Sequence, residues 1–426
     1  MYELTQGIQK SIKGGNGRIR PYKMSDKPAV AGGRPVRDKL LPLAGAAVSD
    51  EDVHAVTGVL QSGKLGCGEM VRRFEEAVAG YVGARYAVAV SSGAAGLHIG
   101  LMAAAVGYEE EVITSPLTHP ATSNCILYQG GIHTFADIDP ATLNMDPQLV
   151  AAKINSRTRA LIPVHFAGNP CDLDALHGLA RENNLVVMED AAHALGGEYG
   201  GKKIGSLSDL TVFSFSSPQH CYTGEGGMVT TDSEELYEWL LIFRENGMVA
   251  DPDKQAKPEG PWRVEMQDRG YNYRMTDMQA ALGLSQLARV EEFVDRRAAL
   301  AEIYNRALAG HPAVALPEQN SRGRSTWHYY ILALRPETLR VSRAEIYYAL
   351  RAENIEVGVH YLPVFLHPYY LWIGHPDVCS LEGSLCPRAE QMYHRLLNLP
   401  LYPAMSDRDA NDVISAVSRV LDYFSV

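Results

Sequence analysis

DLTVFSFSSPQHCYTGEGGMVTT, residues 209–231, is the stretch on which the reading of the fold turns. Two runs rich in β-branched and aromatic residues, LTVFSF at 210–215 and GMVTT at 227–231, flank a loop of Ser, Pro and Gly, so each run predicts a strand. Ser214 sets a hydroxyl near the end of the first strand. The glycines of TGEGG at 223–227 permit tight turns and a close approach of backbone to a ligand. Packing alone does not call for such a loop after an aromatic strand.

Outward from this stretch, similar runs recur: YAVAV at 86–90, EVITSP at 111–116, ALIPVHF at 160–166 and LVVMED at 185–190. They alternate with helical patterns from about 37 to 290, which predicts an α/β fold with an open, mostly parallel sheet and helices on both faces. Ligands of such sheets bind at the carboxyl ends of the strands. Attention therefore falls on Ser91 to Ala95, Thr118, His119, His165, Asp190 and Ser214 to Gln219. Residues 278–309 carry apolar positions at helical spacing and predict one long helix joining two domains. Beyond it, WHYYILAL and IEVGVHY predict strands, and helices are expected around 342–353 and 407–424, together a small α+β domain. The expected division is a flexible arm at 1–36, a large α/β domain at 37–288, and a small C-terminal domain with its linking helix at 289–426.

Composition narrows the function. The 426 residues are 46% apolar, enough for a sizeable core, and the formal net charge of −11 argues against sequence-independent nucleic-acid binding, which needs a basic surface. The six cysteines form no CxxC pair and no zinc-like spacing with His, so free thiols and no metal centre are expected. No apolar run reaches the roughly 18 residues of a membrane span, and the N-terminus lacks a signal-peptide pattern. The expectation is a cytoplasmic protein without membrane or nucleic-acid partners.

SSGAAGLHIGL at 91–101 places Gly93 between a strand and an apolar helix, where free backbone N–H groups suit a phosphate, although the same pattern also serves plain α/β packing. Asp190 ends an apolar run and precedes two alanines. It is either a helix N-cap or a buried carboxylate awaiting a cation such as a protonated pyridine nitrogen. His98 and His165 are expected to make structural hydrogen bonds, and the aromatic residues of WHYYIL to pack the small domain.

In order along residues 38 to 424 come SGKLGCGEMVRRFEE (62–76), SSGAAGLH (91–98), ADIDPATLNMDP (136–147), IPVHFAGNPCDLDAL (162–176), EDAAHALGG (189–197), FSF with TGEGG, GYNYRMTDMQAALGLSQL (270–287), WHYYIL (327–332) and VGVHYLPVFLHPYY (357–370). With these motifs the chain resembles the DegT/DnrJ/EryC1/StrS aminotransferases. The resemblance implies a fold-type I, pyridoxal-phosphate-dependent transferase that aminates a keto-sugar, usually nucleotide-linked, or a cyclitol ketone, with glutamate or glutamine as donor. It further implies a homodimer with shared active sites and pyridoxal 5'-phosphate or pyridoxamine 5'-phosphate as cofactor. Asp190 is then the pyridine-nitrogen partner, and His193 lies beside the ring hydroxyl. Ser214 and the backbone at Gly93 and Ala94 hold the phosphate, with Ala94 where the family often has Thr. His119 stacks on the ring, Asn272 reaches the phosphate of the neighbouring subunit, and His360 and Tyr361 lie on the substrate side.

One departure matters most. Five residues after the serine of FSF the family carries the lysine that bonds the cofactor and moves the proton, and this chain has Gln219. Ser216, where many members have His, is a second. Three explanations stand. The chain is an aminotransferase whose lysine was exchanged for a near-isosteric amide, trapping or impairing it. Or it is a sugar dehydratase that uses pyridoxamine phosphate with His220 as base. Or it is a non-catalytic paralogue that binds the cofactor.

Overall fold

The computed structural model describes residues 27–45, 47–217, 219–257, 259–373 and 384–426, and in it the alternating runs pair into one seven-stranded sheet. Its strands are β1 (Tyr86–Val90), β2 (Glu111–Thr114), β3 (Ile132–Phe135), β4 (Thr158–Ile162), β5 (Val186–Asp190), β6 (Leu210–Ser214) and β7 (Gly227–Thr231), in the order β1-β7-β6-β5-β4-β2-β3. β2 to β6 pair in parallel, while β7 runs antiparallel to both β1 and β6. β3, at one edge of the sheet, was not expected; IHTF is short and half polar.

Both faces of the sheet are covered. Successive side chains of a strand point to opposite sides, so Ala87 and Ala89 join one core cluster and Val88 and Val90 another. The first cluster takes Val71, Phe74, Val78 and Val82 from α2 (Glu69–Val82), whose spacing of three and four residues puts them on one helical face. The second takes Leu97, Ile99 and Leu101 from α3 (Gly93–Ala103). Each buried side chain of this size stabilises the fold by about 1.5–3 kcal/mol.

The helix expected over 278–309 is two helices, Asp277–Leu287 and Val290–Leu308. Arg289 leaves the helical region at φ −112° and ψ 4°, and its Nη2 donates to Asp52 Oδ2 at 2.7 Å. Asp52, in α1 (Asp50–Ser62), is 1% exposed and also accepts from Gln286 Nε2 at 2.7 Å. The break thus delivers a guanidinium to a buried carboxylate, and no Gly or Pro in the sequence announced it.

A second, antiparallel sheet contains β8 (Val314–Ala315), β9 (Tyr330–Leu334) and β10 (Leu396–Leu399), with β9 in the middle. The expected helices are found at Arg343–Ala352 and Asp407–Phe424. IEVGVHY is not a strand: Ile355 and Gly358 make isolated bridges to Leu41 and Asn398, and the leucine-rich LLNL takes the place in the sheet. Of the arm expected at 1–36, residues 1–26 lie outside the described residues, and 27–36 are tied to the small domain. Glu353, 0% exposed, accepts the Ala29 and Val36 N–H groups at 2.7 and 2.8 Å and pairs with Arg419 at 3.2 Å. An apolar cluster of Leu117, Phe135 and Phe166 with Ile331, Val364 and Phe365 joins the two sheets beside the strand ends. Among the described residues no helix is long and apolar enough to cross a membrane.

Candidate active site

At the carboxyl ends of β1, β5 and β6 lies a cavity of about 470 Å³. Gly93, Ala94, His119, Asp190, His193, Ser214, Gln219, His360 and Tyr361 all line it. The structure therefore brings together nine of the residues singled out from the sequence.

Ser92 caps α3 by accepting the Ala95 N–H at 3.1 Å, which leaves the N–H groups of Gly93 and Ala94 without an intrahelical acceptor. Ser214 presses against this turn so closely that a Cβ on Gly93 would lie 2.9 Å from Ser214 Cβ, and one on Gly227 would lie 2.6 Å from the Ser92 carbonyl oxygen. Glycine is required at both places for the loop and the helix start to converge. Ser214 Oγ lies 3.3 Å from Ser216 Oγ, and Ser217 extends this hydroxyl-rich rim. Small residues, open N–H groups and hydroxyls together suit an anion such as a phosphate.

Asp190, 6% exposed, ends β5. Its Oδ2 accepts from the Thr122 hydroxyl at 2.7 Å and its Oδ1 from the Ala192 N–H at 3.2 Å. Neither donor is a cation, and burial pushes the carboxyl pKa above its usual range despite these bonds. A buried carboxylate of this kind is balanced by a cation from a ligand.

The opposite wall is neutral. His193 Nε2 lies 3.3 Å from the Tyr361 hydroxyl and its ring stacks on His328 at 4.3 Å, while Nδ1 is buried without a partner among the described residues. Burial, helped by nearby histidines, takes the His193 pKa down to about 3, so the ring is uncharged at neutral pH. His119 accepts the Ala121 N–H on Nδ1 at 3.2 Å and meets Tyr361 edge-on at 6.1 Å. His360 stacks on Tyr329 at 4.4 Å and is likewise held neutral by burial.

Gln219 stands at the mouth of the TGEGG loop. Its N–H donates to the Ser216 carbonyl at 2.9 Å, and Thr223 N–H and Phe215 N–H lock the loop to Phe215 and Gly226, each at 2.8 Å. The Gln219 Oε1 is buried and accepts no hydrogen bond from the described residues. An unpaired buried amide oxygen costs about 1–3 kcal/mol, which marks the position as unsatisfied by these residues.

Two expected residues stay outside. His220 does not line the cavity: it is 3% exposed, its Nε2 bonds the Thr326 carbonyl at 3.0 Å, and burial keeps it uncharged. Chain direction explains this, since the loop that points Gln219 inward turns its neighbour into the protein. Asn272 is exposed and does not line this cavity; the role expected of it concerns a neighbouring subunit. His165 and His98 make structural bonds, to Glu189 at 2.6 Å and to the Tyr273 hydroxyl at 3.1 Å. Among the described residues no group of three or more His, Cys, Asp or Glu is arranged to hold a metal ion.

Sequence reasoning missed Tyr329 and Thr122. Tyr329 lines the cavity, whereas its neighbour Tyr330 packs on Tyr304 at 4.8 Å as expected of the whole WHYYIL run. Two-residue alternation at the start of β9 separates them. Thr122 lies in the first turn of the helix Ala121–Tyr128, four positions after Thr118 in the preceding loop, and nothing in the sequence singled it out.

The family model of the DegT/DnrJ/EryC1/StrS aminotransferases matches residues 47–418. The chain belongs to that family. It is 41% identical over 386 residues to the spore coat polysaccharide biosynthesis protein SpsC of Bacillus subtilis, covering 90% of this chain and 98% of SpsC. Among solved structures it is similar to Helicobacter pylori PseC, an aminotransferase involved in the biosynthesis of pseudoaminic acid (TM-score 0.83, 28% identity, 91% of this chain and 100% of that one). It is also similar to the putative sugar aminotransferase Spr1654 of Streptococcus pneumoniae in its PMP form (TM-score 0.83, 27% identity, 90% and 99%), a protein also solved in a PLP form. The fold is thus fold-type I.

Proposed function

We propose that this chain binds pyridoxal or pyridoxamine 5'-phosphate without a covalent bond, on the scaffold of an enzyme that aminates a keto-sugar or cyclitol ketone from glutamate or glutamine. The observation that carries this reading is the pairing of two unsatisfied groups in one cavity: a buried carboxylate without a cation, Asp190, and a buried amide oxygen without a donor, Gln219. Family membership and the similarity to SpsC, a polysaccharide biosynthesis protein, support a sugar-type ketone, nucleotide-linked, in amino-sugar, polysaccharide or antibiotic biosynthesis.

When bound, the cofactor supplies an electron-withdrawing protonated ring and a carbon that carries the amino group. Asp190 holds the proton on the ring nitrogen. The N–H groups at Gly93 and Ala94, with the Ser214 hydroxyl, hold the phosphate. His119 would cover one face of the ring, and the Nδ1 of the neutral His193, unpaired among the described residues, would serve the ring hydroxyl. His360 and Tyr361, with Tyr329 beside them, bind the hydroxyl groups of the ketone. Gln219 stands where the chemistry needs an amine. Its amide nitrogen is not nucleophilic and its carbonyl is a poor base at neutral pH, so the chain turns over slowly or not at all. Asn272 belongs with a homodimer that shares its active sites in the cytoplasm.

The test is Gln219→Lys, assayed for half-transamination of pyridoxal phosphate with glutamate. The variant is expected to convert cofactor while the unmodified chain does not. A variant that bonds the cofactor yet never transfers an amino group contradicts the aminotransferase reading, and equal conversion by both contradicts the role given to Gln219.

A further inference from the structure

The Asp190 carboxylate is served by a directional chain of hydroxyls. Thr118 Oγ1 lies 2.8 Å from Thr122 Oγ1, and Thr122 Oγ1 lies 2.7 Å from Asp190 Oδ2, with both threonines buried. The Thr122 hydroxyl has two acceptors, Asp190 Oδ2 at 2.7 Å and the His119 carbonyl oxygen at 3.1 Å; its one proton goes to the nearer, charged oxygen, and the Thr122 oxygen accepts from Thr118. Aligned hydroxyls polarise one another and strengthen the last bond. The Ala192 N–H holds the other oxygen at 3.2 Å, so the carboxylate plane is pinned from two sides.

We propose that Thr122, oriented by Thr118, is the positioning residue that keeps the Asp190 carboxylate aimed and ionised for a cationic ring nitrogen. This rests on the cofactor reading given above. Burial drives the Asp190 carboxyl toward its neutral form, and the Thr122 bond is the largest force opposing it. The other titratable groups that act on Asp190 are His119 and His165, which favour its charge, and the Cys125 thiol and Tyr361 hydroxyl, whose own ionisation its charge opposes. A protonated Asp190 offers no anion to the ring. Binding therefore weakens as pH falls, and losing the Thr122 donor moves that weakening to higher pH.

The experiment compares native protein with Thr122→Val, which keeps shape and removes the hydroxyl, and Thr122→Ser, which restores it. The dissociation constant of pyridoxamine phosphate is measured by fluorescence across pH, and the Asp190 carboxyl is titrated by carbon-13 NMR in unliganded protein, its resonance identified by its loss in Asp190→Asn. Val is expected to weaken binding about tenfold or more, the scale of one hydrogen bond to a charged group, and to shift both acid limbs upward. Ser should return both to native, and Thr118→Val should shift them less. Native-like curves for Thr122→Val overturn the proposal, as does a Ser variant that fails like Val while melting like native. If native protein binds no pyridoxamine phosphate, the cofactor reading is refuted, and the carboxyl titration alone still decides whether Thr122 governs Asp190.

Discussion

Replacing Asp190 by Asn should move stability and binding in opposite directions. The substitution keeps size and one acceptor for the Thr122 and Ala192 donors, but removes the charge from a site that is 6% exposed. In unliganded protein burial raises the Asp190 pKa. Between the unfolded and folded values the folded state therefore binds more protons than the unfolded one, and stability falls as pH rises through that window. Asparagine has no proton to lose, so at neutral pH the unliganded variant should melt at the native temperature or above it, and its own melting should vary less with pH. Binding behaves otherwise. A hydrogen bond to a charged group contributes about 1.5–3 kcal/mol, so pyridoxamine phosphate should bind roughly 10- to 150-fold more weakly. Differential scanning fluorimetry with and without pyridoxamine phosphate, from pH 4 to 8, reads both effects at once. An unliganded variant markedly less stable than native, or one that binds the cofactor equally well, would refute the view of Asp190 as a carboxylate awaiting a cation.

Three further outcomes follow from the same contacts. Gly227→Ala puts a methyl 2.6 Å from the Ser92 carbonyl, so the variant should lose about 1–3 kcal/mol in urea unfolding and bind inorganic phosphate and cofactor more weakly by equilibrium dialysis. Glu353→Ala removes the carboxylate facing Arg419, which keeps its bond to the Arg34 carbonyl at 3.0 Å, and leaves two backbone N–H groups unpaired; a loss of about 3 kcal/mol and new proteolytic cleavage within 27–36 are expected, and unchanged cleavage would detach that segment from Glu353. His220→Asn, made in the Gln219→Lys background, should leave the half-transamination rate within about threefold, because no catalytic contact is lost; a rate drop of a hundredfold with an unchanged melting temperature would return His220 to the site.

The sheet was legible because its strands, covered on both faces, read as apolar runs such as YAVAV and GMVTT, whose bounds match the structure residue for residue. Edge and helix-break features were not. β3 is too short and polar to stand out, and the interruption at Arg289 depends on Asp52, more than two hundred residues away. The second sheet misled for a related reason: LLNL lacks β-branched residues yet is buried throughout, whereas the β-branched IEVGVHY crosses the small domain as an irregular wall. Asp190 and Ser214 at strand ends, and Gln219 in the loop that follows, were legible as cavity-lining residues through the rule that ligands sit there. His220 was not, because a one-residue step along a tight loop reverses its direction. Thr122 escaped notice because its meaning lies in a bond across sixty-eight positions to Asp190.

The most direct test of the central claim is mass spectrometry of native and Gln219→Lys protein after incubation with pyridoxal phosphate and borohydride, each sprayed under native and then denaturing conditions. The account predicts that the unmodified chain carries one cofactor per chain under native conditions and loses it on denaturation, whereas the variant keeps it covalently. An unmodified chain that carries no cofactor in either condition, or one that keeps it covalently on another residue, would contradict the reading of this cavity.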